Sequence, residues 1–375
     1  MNIYDAAVLG TGGVGSATVY QLARRGARVI GIDRFDPPHD RGSSHGDTRV
    51  IRMAYFEHPD YVPLLRQAYQ AWHFLESEAE RSLFFRTGLL QIGSESGEVI
   101  AGVLGSARQH QLEIETLSGN DVRRLFSGVV PPENTVGVLE RDAGYLFVSD
   151  CIHTYLELSR RQGATLLANT PVEAWVPREG GFEIHASGQV IRARQLVVCG
   201  GAWASKLIAD LRVPLTILRK HLYWYRNAGD YYTQAAGFPV FLVQTPDGIY
   251  YGFPQIDGQG VKLARHDGGE PLETPEALSA TADEANRQCV EQFARTYLPE
   301  LSATLTRHEA CMYTVTPDHH FLVGTHPQHA GLHFAAGLSG HGFKFASALG
   351  EILADLVLEG QTSSPIGFLS PQRFF

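Results

Sequence analysis

The chain opens with an uncharged apolar run, Ala6-Ala7-Val8-Leu9, followed by clustered glycines and then apolar residues at Ala17, Val19, Leu22 and Ala23. The run predicts a buried strand, and the spacing of two to four predicts a helix that Gly26 is placed to end. A second strand follows over residues 27–33 and finishes at Asp33. The same order of strand, glycine turn and helix returns twice. Leu196–Cys199 runs into Gly200-Gly201-Ala202-Trp203 and a helical stretch, and Leu332–Ala336 runs into Gly337, Gly340 and Gly342. After the last turn an amphipathic helix is expected over 345–358, ended by Gly360. Elsewhere the pattern predicts helices over 59–80, within 97–125, over 151–162 and over 275–297. Tyr61 and Trp72, at helical spacing in the first of these, read as core. Strands are expected near 84–93, 136–148, 164–176 and 181–199, and through most of 214–270, with Asp247-Gly248 as a hairpin turn. In 261–266 the alternation sets Lys262, Ala264 and His266 on one face and Val261, Leu263 and Arg265 on the other. Alternation alone fits a solvated outer face for Lys262 equally well.

The first glycine cluster, Gly10-Thr11-Gly12-Gly13-Val14-Gly15, has the spacing G-x-G-x-x-G. Gly10 permits a tight turn, Gly12 lets backbone approach a pyrophosphate, and Gly15 lets helix and strand pack closely. The helix N-terminus offers unpaired N–H groups to phosphate. An acid ending the second strand binds ribose hydroxyls, and Asp33 stands there. This is a dinucleotide site, and it suits nicotinamide and flavin cofactors alike. There is no second G-x-G-x-x-G, so a separate NADPH domain is not expected. The two later turns suit a longer cofactor lying across the sheet.

A chain of 375 residues suits two closely joined domains. Its net charge of −9 argues against nucleic acid and anionic membrane surfaces as partners. The four cysteines, Cys151, Cys199, Cys289 and Cys311, are widely spaced, so neither a zinc site nor a disulfide framework is expected, and no metal. No apolar run approaches a membrane span, and no basic segment leads into the first one, so a cytoplasmic location is expected.

The loop after Asp33 carries His39, Ser43, Ser44, His45, Asp47, Thr48, Arg49 and Arg52. Such a loop runs along a dinucleotide, although a plain polar surface loop has the same composition. Arg49 and Arg52 would share a face if helical, and two guanidinium groups there could hold an anion by paired hydrogen bonds.

Three segments carry a resemblance to a known family. They are Ser43-Ser44-His45-Gly46-Asp47-Thr48-Arg49 with Arg52 and Tyr55, Ala310-Cys311-Met312-Tyr313-Thr314 with Thr316-Pro317-Asp318, and 337–345, which reads GLSGHGFKF. Together they resemble the monomeric sarcosine oxidase and N-methyltryptophan oxidase group, amine-oxidising flavoproteins of the D-amino-acid-oxidase-like superfamily. The likeness covers residues 3–358. It implies an α/β (α+β) chain with a glutathione-reductase-like FAD-binding domain over 1–85, 145–215 and 310–375. A discontinuous substrate domain with a mostly antiparallel sheet would occupy 86–144 and 216–309. It implies FAD held by Gly10, Gly12, Gly13, Val14, Gly15, Asp33, Arg34, Ser43, His45, Thr48, Arg49, Val172, Gly200 and Trp203. The turn with Gly340, Gly342, Phe343 and Lys344 would lie at the pyrimidine end of the flavin. Cys311 would form a thioether to the flavin.

The resemblance further implies that Lys262 assists the reaction with O2, and that Arg52 and Lys344 hold a substrate carboxylate. Tyr251 and His266 would line the substrate side, with His45 and Arg49 near the ring. The implied activity is oxidation of an N-methyl or cyclic amino acid to an imine, with H2O2 as co-product, by a monomer. His266-Asp267-Gly268-Gly269 resembles the N-methyltryptophan enzymes and Cys311-Met312-Tyr313-Thr314 the sarcosine enzymes, which leaves the substrate side chain open. One rival is a dehydrogenase that passes electrons to a carrier, against which Lys262 argues. The other is a dinucleotide-binding protein without turnover, in which Arg52, Lys344 and Cys311 would have no purpose.

Overall fold

The structure, a computed structural model, describes residues 3–227 and 229–375. Two sheets organise it. The first has the order Val172–Arg178, Gly181–Ala186, Gln189–Val198, Tyr4–Leu9, Val29–Ile32, Thr165–Leu167. Leu332–Ala336 pairs in parallel with the end of Gln189–Val198, and Leu322–Thr325 lies outside it. Leu9 is in register with Ile32 on one side and Val198 on the other, and Val198 with Phe334. The glycine turns at Gly10, Gly200 and Gly337 therefore leave from one edge of the sheet. The central parallel strands Tyr4–Leu9, Val29–Ile32 and Leu332–Ala336 are near-continuous apolar runs because both of their faces are covered.

Helix Gly13–Arg24 packs on one face against Ala346–Glu359. The contact is close: a Cβ on Gly350 would stand 2.7 Å from the Ala17 methyl. Ala346–Glu359 is less one-sided than its sequence predicts. It buries residues all round, among them Ala346, Ser347, Leu349, Ile352, Leu353 and Leu356. The reason is that Gly13–Arg24, Tyr61–Ala79 and the sheet all contact it.

The second sheet has the order Glu270–Leu272, Thr216–Asn227, Val261–Arg265, Gly248–Phe253, Val240–Thr245, Leu89–Gly93, Val136–Glu140, Glu115–Ser118. Its pairings are antiparallel except between Val240–Thr245 and Leu89–Gly93. Leu301–Val315 adds to Thr216–Asn227 over nearly its whole length. That strand runs past residue 310 and carries Cys311 to Tyr313 into the junction with the first sheet. A small sheet of Thr48–Ile51, Gly144–Phe147 and Phe84–Phe85 completes the junction.

Two local expectations change, and one open alternative is decided. Residues 48–51 form a strand, so Arg49 and Arg52 share no helical face; β-branched Val50 and Ile51 pair with Tyr145 and Gly144 instead. The helix expected over 275–297 begins only at Glu284, where the Asp283 carboxylate accepts the Asn286 N–H at 2.8 Å. Pro275–Ala277 is a separate 3-10 turn. Lys262 is buried rather than solvated. Among the described residues no helix is long and apolar enough to cross a membrane.

Candidate active site

The first turn is built by close backbone approach. Gly10 has φ +87°, and a Cβ there would stand 2.4 Å from the Cys199 carbonyl oxygen. One on Gly15 would meet the Gly10 carbonyl oxygen at 1.8 Å, so Gly15 seats the helix on the turn and does not line the cavity. Gly12 is different: a Cβ there would meet only Ser44 Oγ, at 3.8 Å. Backbone is thus left open where a pyrophosphate lies in such folds. Asp33 is buried, and its Oδ2 accepts the Thr11 N–H at 2.6 Å while Oδ1 accepts the Phe35 N–H at 3.0 Å. A carboxylate has about four acceptor positions, so Asp33 is held in place and keeps capacity for ribose hydroxyls. The residues present fit a dinucleotide.

From this turn a cavity of ≈ 340 Å³ extends through the molecule. Its wall includes Gly10, Gly12, Gly13, Val14, Asp33, Arg34, Ser43, Arg49, Arg52, Val172, Gly200, Trp203, Tyr251, His266, Gly340, Gly342, Phe343 and Lys344. Besides Gly15, four expected residues stand behind it. Cys311 packs with Leu222, Trp224 and Ala264, while its neighbours Met312, Tyr313 and Thr314 reach the wall. Lys262 Nζ donates to the carbonyl oxygens of Gly46 and Thr48 at 2.5 and 2.9 Å, which turns it away from the cavity along with Thr48. His45 Nδ1 lies 3.1 Å from Glu309 Oε2, and its buried Nε2 has no partner among the described residues.

Two cations mark one region of the wall. The Arg52 guanidinium is buried over the rings of Tyr55 and Phe56, at 4.2 and 4.6 Å from their centroids. Its Nη2 donates to both Glu57 oxygens at 2.7 Å. Burial alone would weaken its hold on its proton, but the Glu57 carboxylate overrides this and raises its pKa. Burial likewise pushes Glu57 up, and Arg52, His341 and Lys344 together bring it down to about 2. Lys344 Nζ donates to the His341 carbonyl at 2.7 Å and to Tyr55 Oη at 3.5 Å. Burial, helped by Arg52, lowers its pKa to about 7. The donor order continues outward. His341 Nε2 faces the His319 carbonyl at 3.0 Å, so it carries the proton, and Nδ1 accepts from Tyr55 Oη at 2.5 Å. Burial holds His341 at about 3, which keeps this neutral tautomer in place.

His266 is pinned from behind. Lys220 Nζ donates to the carbonyl oxygens of His266, Asp267 and Gly268 at 2.9, 2.7 and 3.0 Å. All three ammonium protons are used, and burial lowers the Lys220 pKa to about 8. The His266 imidazole is lowered to about 4, chiefly by burial. Sequence reasoning missed Lys220, Glu57, Tyr55 and His341. Lys220 left little signal, since it stands between Arg219 and His221 in its strand. Glu57 left none, since its pairing with Arg52 follows from no helical or strand spacing.

A dinucleotide cradle leading to a pocket walled by buried cations defines a redox enzyme that binds its cofactor at the carboxyl ends of the parallel strands. Residues 5–356 match the profile of the FAD dependent oxidoreductase family, and the chain belongs to that family. FAD, rather than a nicotinamide, is therefore its cofactor. The chain is similar to monomeric sarcosine oxidase from Arthrobacter sp. (strain TE1826), 38% identical over 379 residues, 99% of this chain and 96% of that one. It is also similar to N-methyl-L-tryptophan oxidase from Citrobacter koseri, 36% identical over 98% of this chain and 97% of that one. Among solved structures it matches NikD, an unusual amino acid oxidase essential for nikkomycin biosynthesis. That match has a TM-score of 0.87 and 27% identity, covering 99% of this chain and 98% of that one. L-proline dehydrogenase from P. horikoshii, at 20% identity and a TM-score of 0.86 over 100% of this chain and 98% of that one, shares the fold.

Proposed function

We propose that this chain is a monomeric, cytoplasmic FAD-dependent oxidase of secondary amino acids, converting an N-methyl or cyclic substrate to an imine that then hydrolyses. The observation that carries the reading is the meeting of Arg52 and Lys344 on the wall of a cavity that starts at the Gly10 turn. Lys344 and the Arg52–Glu57 pair bind the substrate carboxylate. Phe56, Leu89, Leu242, Tyr251 and Phe253 surround the rest of the substrate with an apolar wall. Orientation of this kind contributes several kcal/mol to barrier lowering. FAD, when bound, supplies the two-electron acceptor and passes the electrons to O2, giving H2O2. The amine reacts in its neutral form, so no carboxylate base is required.

Lys262 assists the oxygen reaction from behind the wall, with Arg49 and His45 on the same side; burial lowers its pKa well below the ordinary lysine value, and the Gly46 and Thr48 carbonyls hold its ammonium in place. Cys311 is the attachment point for the flavin. Burial raises its pKa, and the opposing pull of Arg49, Lys262 and Lys220 only partly offsets this, so the thiol rather than the reactive thiolate predominates. A peroxide assay with sarcosine, N-methyltryptophan, pipecolate and proline tests the reading. Peroxide in air, equal to the amine consumed, is expected with at least one substrate. Dye reduction under argon without peroxide in air would instead make the chain a dehydrogenase.

A further inference from the structure

At the edge of the first sheet opposite the cavity, the turn between Leu322–Thr325 and Leu332–Ala336 carries two histidines. His326 and His329 face Asp210, which comes from the 3-10 turn Ala209–Leu211. The three side chains offer ligand atoms that all lie within 4.8 Å of one another. Each oxygen of the Asp210 carboxylate faces a different imidazole: Oδ2 lies 2.7 Å from His329 Nε2 and Oδ1 lies 3.3 Å from His326 Nε2. The two rings sit 4.7 Å apart, centroid to centroid. None of the three residues lines the cofactor cavity.

Two independent features make this more than a surface ion pair. His326 is only 2% exposed, and its Nε2, aimed at Asp210, makes no hydrogen bond among the described residues. A buried imidazole nitrogen left without a partner is costly. The turn is also preorganised. Its ends are tied by His326 N–H to the Leu332 carbonyl at 2.8 Å and by Leu332 N–H to the His329 carbonyl at 3.1 Å. The edge of Trp175 packs on the His329 ring at 5.0 Å, and Trp175 Nε1 is anchored on the Leu207 carbonyl.

We propose that Asp210, His326 and His329 bind a divalent cation of the zinc type. Two imidazoles and one carboxylate suit borderline cations such as Zn²⁺, and do not suit Mg²⁺ or Ca²⁺, which take oxygen ligands. Asp210 is exposed, which gives the ion a way in and leaves water to complete its shell. Binding moves the His326 proton. Nδ1 now accepts the Gln328 N–H at 3.2 Å, so the neutral ring carries its proton on Nε2. Zn²⁺ takes the Nε2 position, the ring proton passes to Nδ1, and the exposed Gln328 peptide turns its N–H to water. The bound ion clips the hairpin turn to the 3-10 turn, a stabilising and not a catalytic role.

The test uses holoenzyme treated with EDTA and freed of it by gel filtration, then titrated with ZnSO4 or MgSO4. One tightly held zinc per chain is expected, with a Tm that rises with zinc concentration and not with magnesium. Asp210→Asn and His329→Ala should each weaken zinc binding roughly tenfold or more while leaving flavin content and turnover unchanged. Both residues lie toward the surface, and a melt without zinc shows whether each variant is folded. The proposal is overturned if the wild type retains no zinc, or if a folded Asp210→Asn/His329→Ala double variant retains as much as the wild type.

Discussion

Replacing Lys344 by methionine separates the cost of burying a charge from the use made of it. The ordinary lysine value of 10.5 falls to about 7 here, first because the group is buried and then because Arg52 is near. At 1.36 kcal/mol for each pH unit, holding the charged form in place costs about 5 kcal/mol. Methionine fills much the same space without the charge. It forfeits the bond to the His341 carbonyl and the contact with Tyr55 Oη, each worth about 1 kcal/mol net. A gain of about 3 kcal/mol remains. With an unfolding entropy near 2.1 cal/mol/K per residue, that is about 4 °C in Tm for a chain of this length.

The sign with pH is fixed by the direction of the change. Below pH 7 the lysine is protonated in both the folded and the unfolded chain, and the whole cost is present. Between pH 7 and 10.5 the unfolded chain binds more protons, so wild-type stability rises with pH. The advantage of Lys344→Met is therefore largest at pH 6.5 and shrinks toward pH 10. Calorimetric melts of both proteins at pH 6.5 and 9.5 measure it. The same variant should lose affinity for a simple carboxylate such as propionate, followed by its effect on the flavin spectrum. At about 4 Å and an effective dielectric near 20, the lost attraction is about 4 kcal/mol. A variant that melts below wild type at pH 6.5, or an advantage equal at both pH values, would refute the reasoning.

The other sites give sharper readouts. Cys311→Ser should release all its flavin into the supernatant on acid precipitation, whereas the wild type should keep a yellow pellet. Lys262→Met should slow flavin reoxidation by O2 roughly a hundredfold and leave anaerobic reduction by substrate nearly unchanged; equal slowing of both half-reactions, measured by stopped flow, removes its assigned role. Lys220→Met unpins the turn that carries His266, so KM for the amine should rise roughly tenfold with kcat within about twofold; a matching fall in kcat would mean that Lys220 only supports the fold.

Features that depend on near neighbours in the chain could be read from it. Gly10, Gly12 and Gly15 act within one strand–turn–helix unit, and Asp33 ends the next strand, so spacing alone placed them. The 337–345 turn was legible for the same reason. Arg49 and Arg52 both line the wall, but Arg49 lies within a strand that ends just before Arg52, and that strand forms by pairing with Gly144–Phe147 almost a hundred residues away. Lys262 could be assigned to a strand but not to an interior. Its burial depends on carbonyl groups of the Gly46 to Thr48 segment. Pro275 and its neighbours looked helical in composition, yet Asp283 offers a better helix start eight residues later.

By itself the sequence determined a dinucleotide turn and the alternation of strands and helices, because propensity and periodicity act over a few residues. Only the tertiary structure decided which side chains meet. Arg52 gains Glu57 as a buried counter-charge, Lys344 gains Tyr55 and His341, and His266 gains Lys220 behind it. Tyr55 and Lys220 come from distant segments, while Glu57 and His341 sit within five residues of the groups they partner. The energy of a buried charge depends on what surrounds it in space, and no single stretch of chain contains that information.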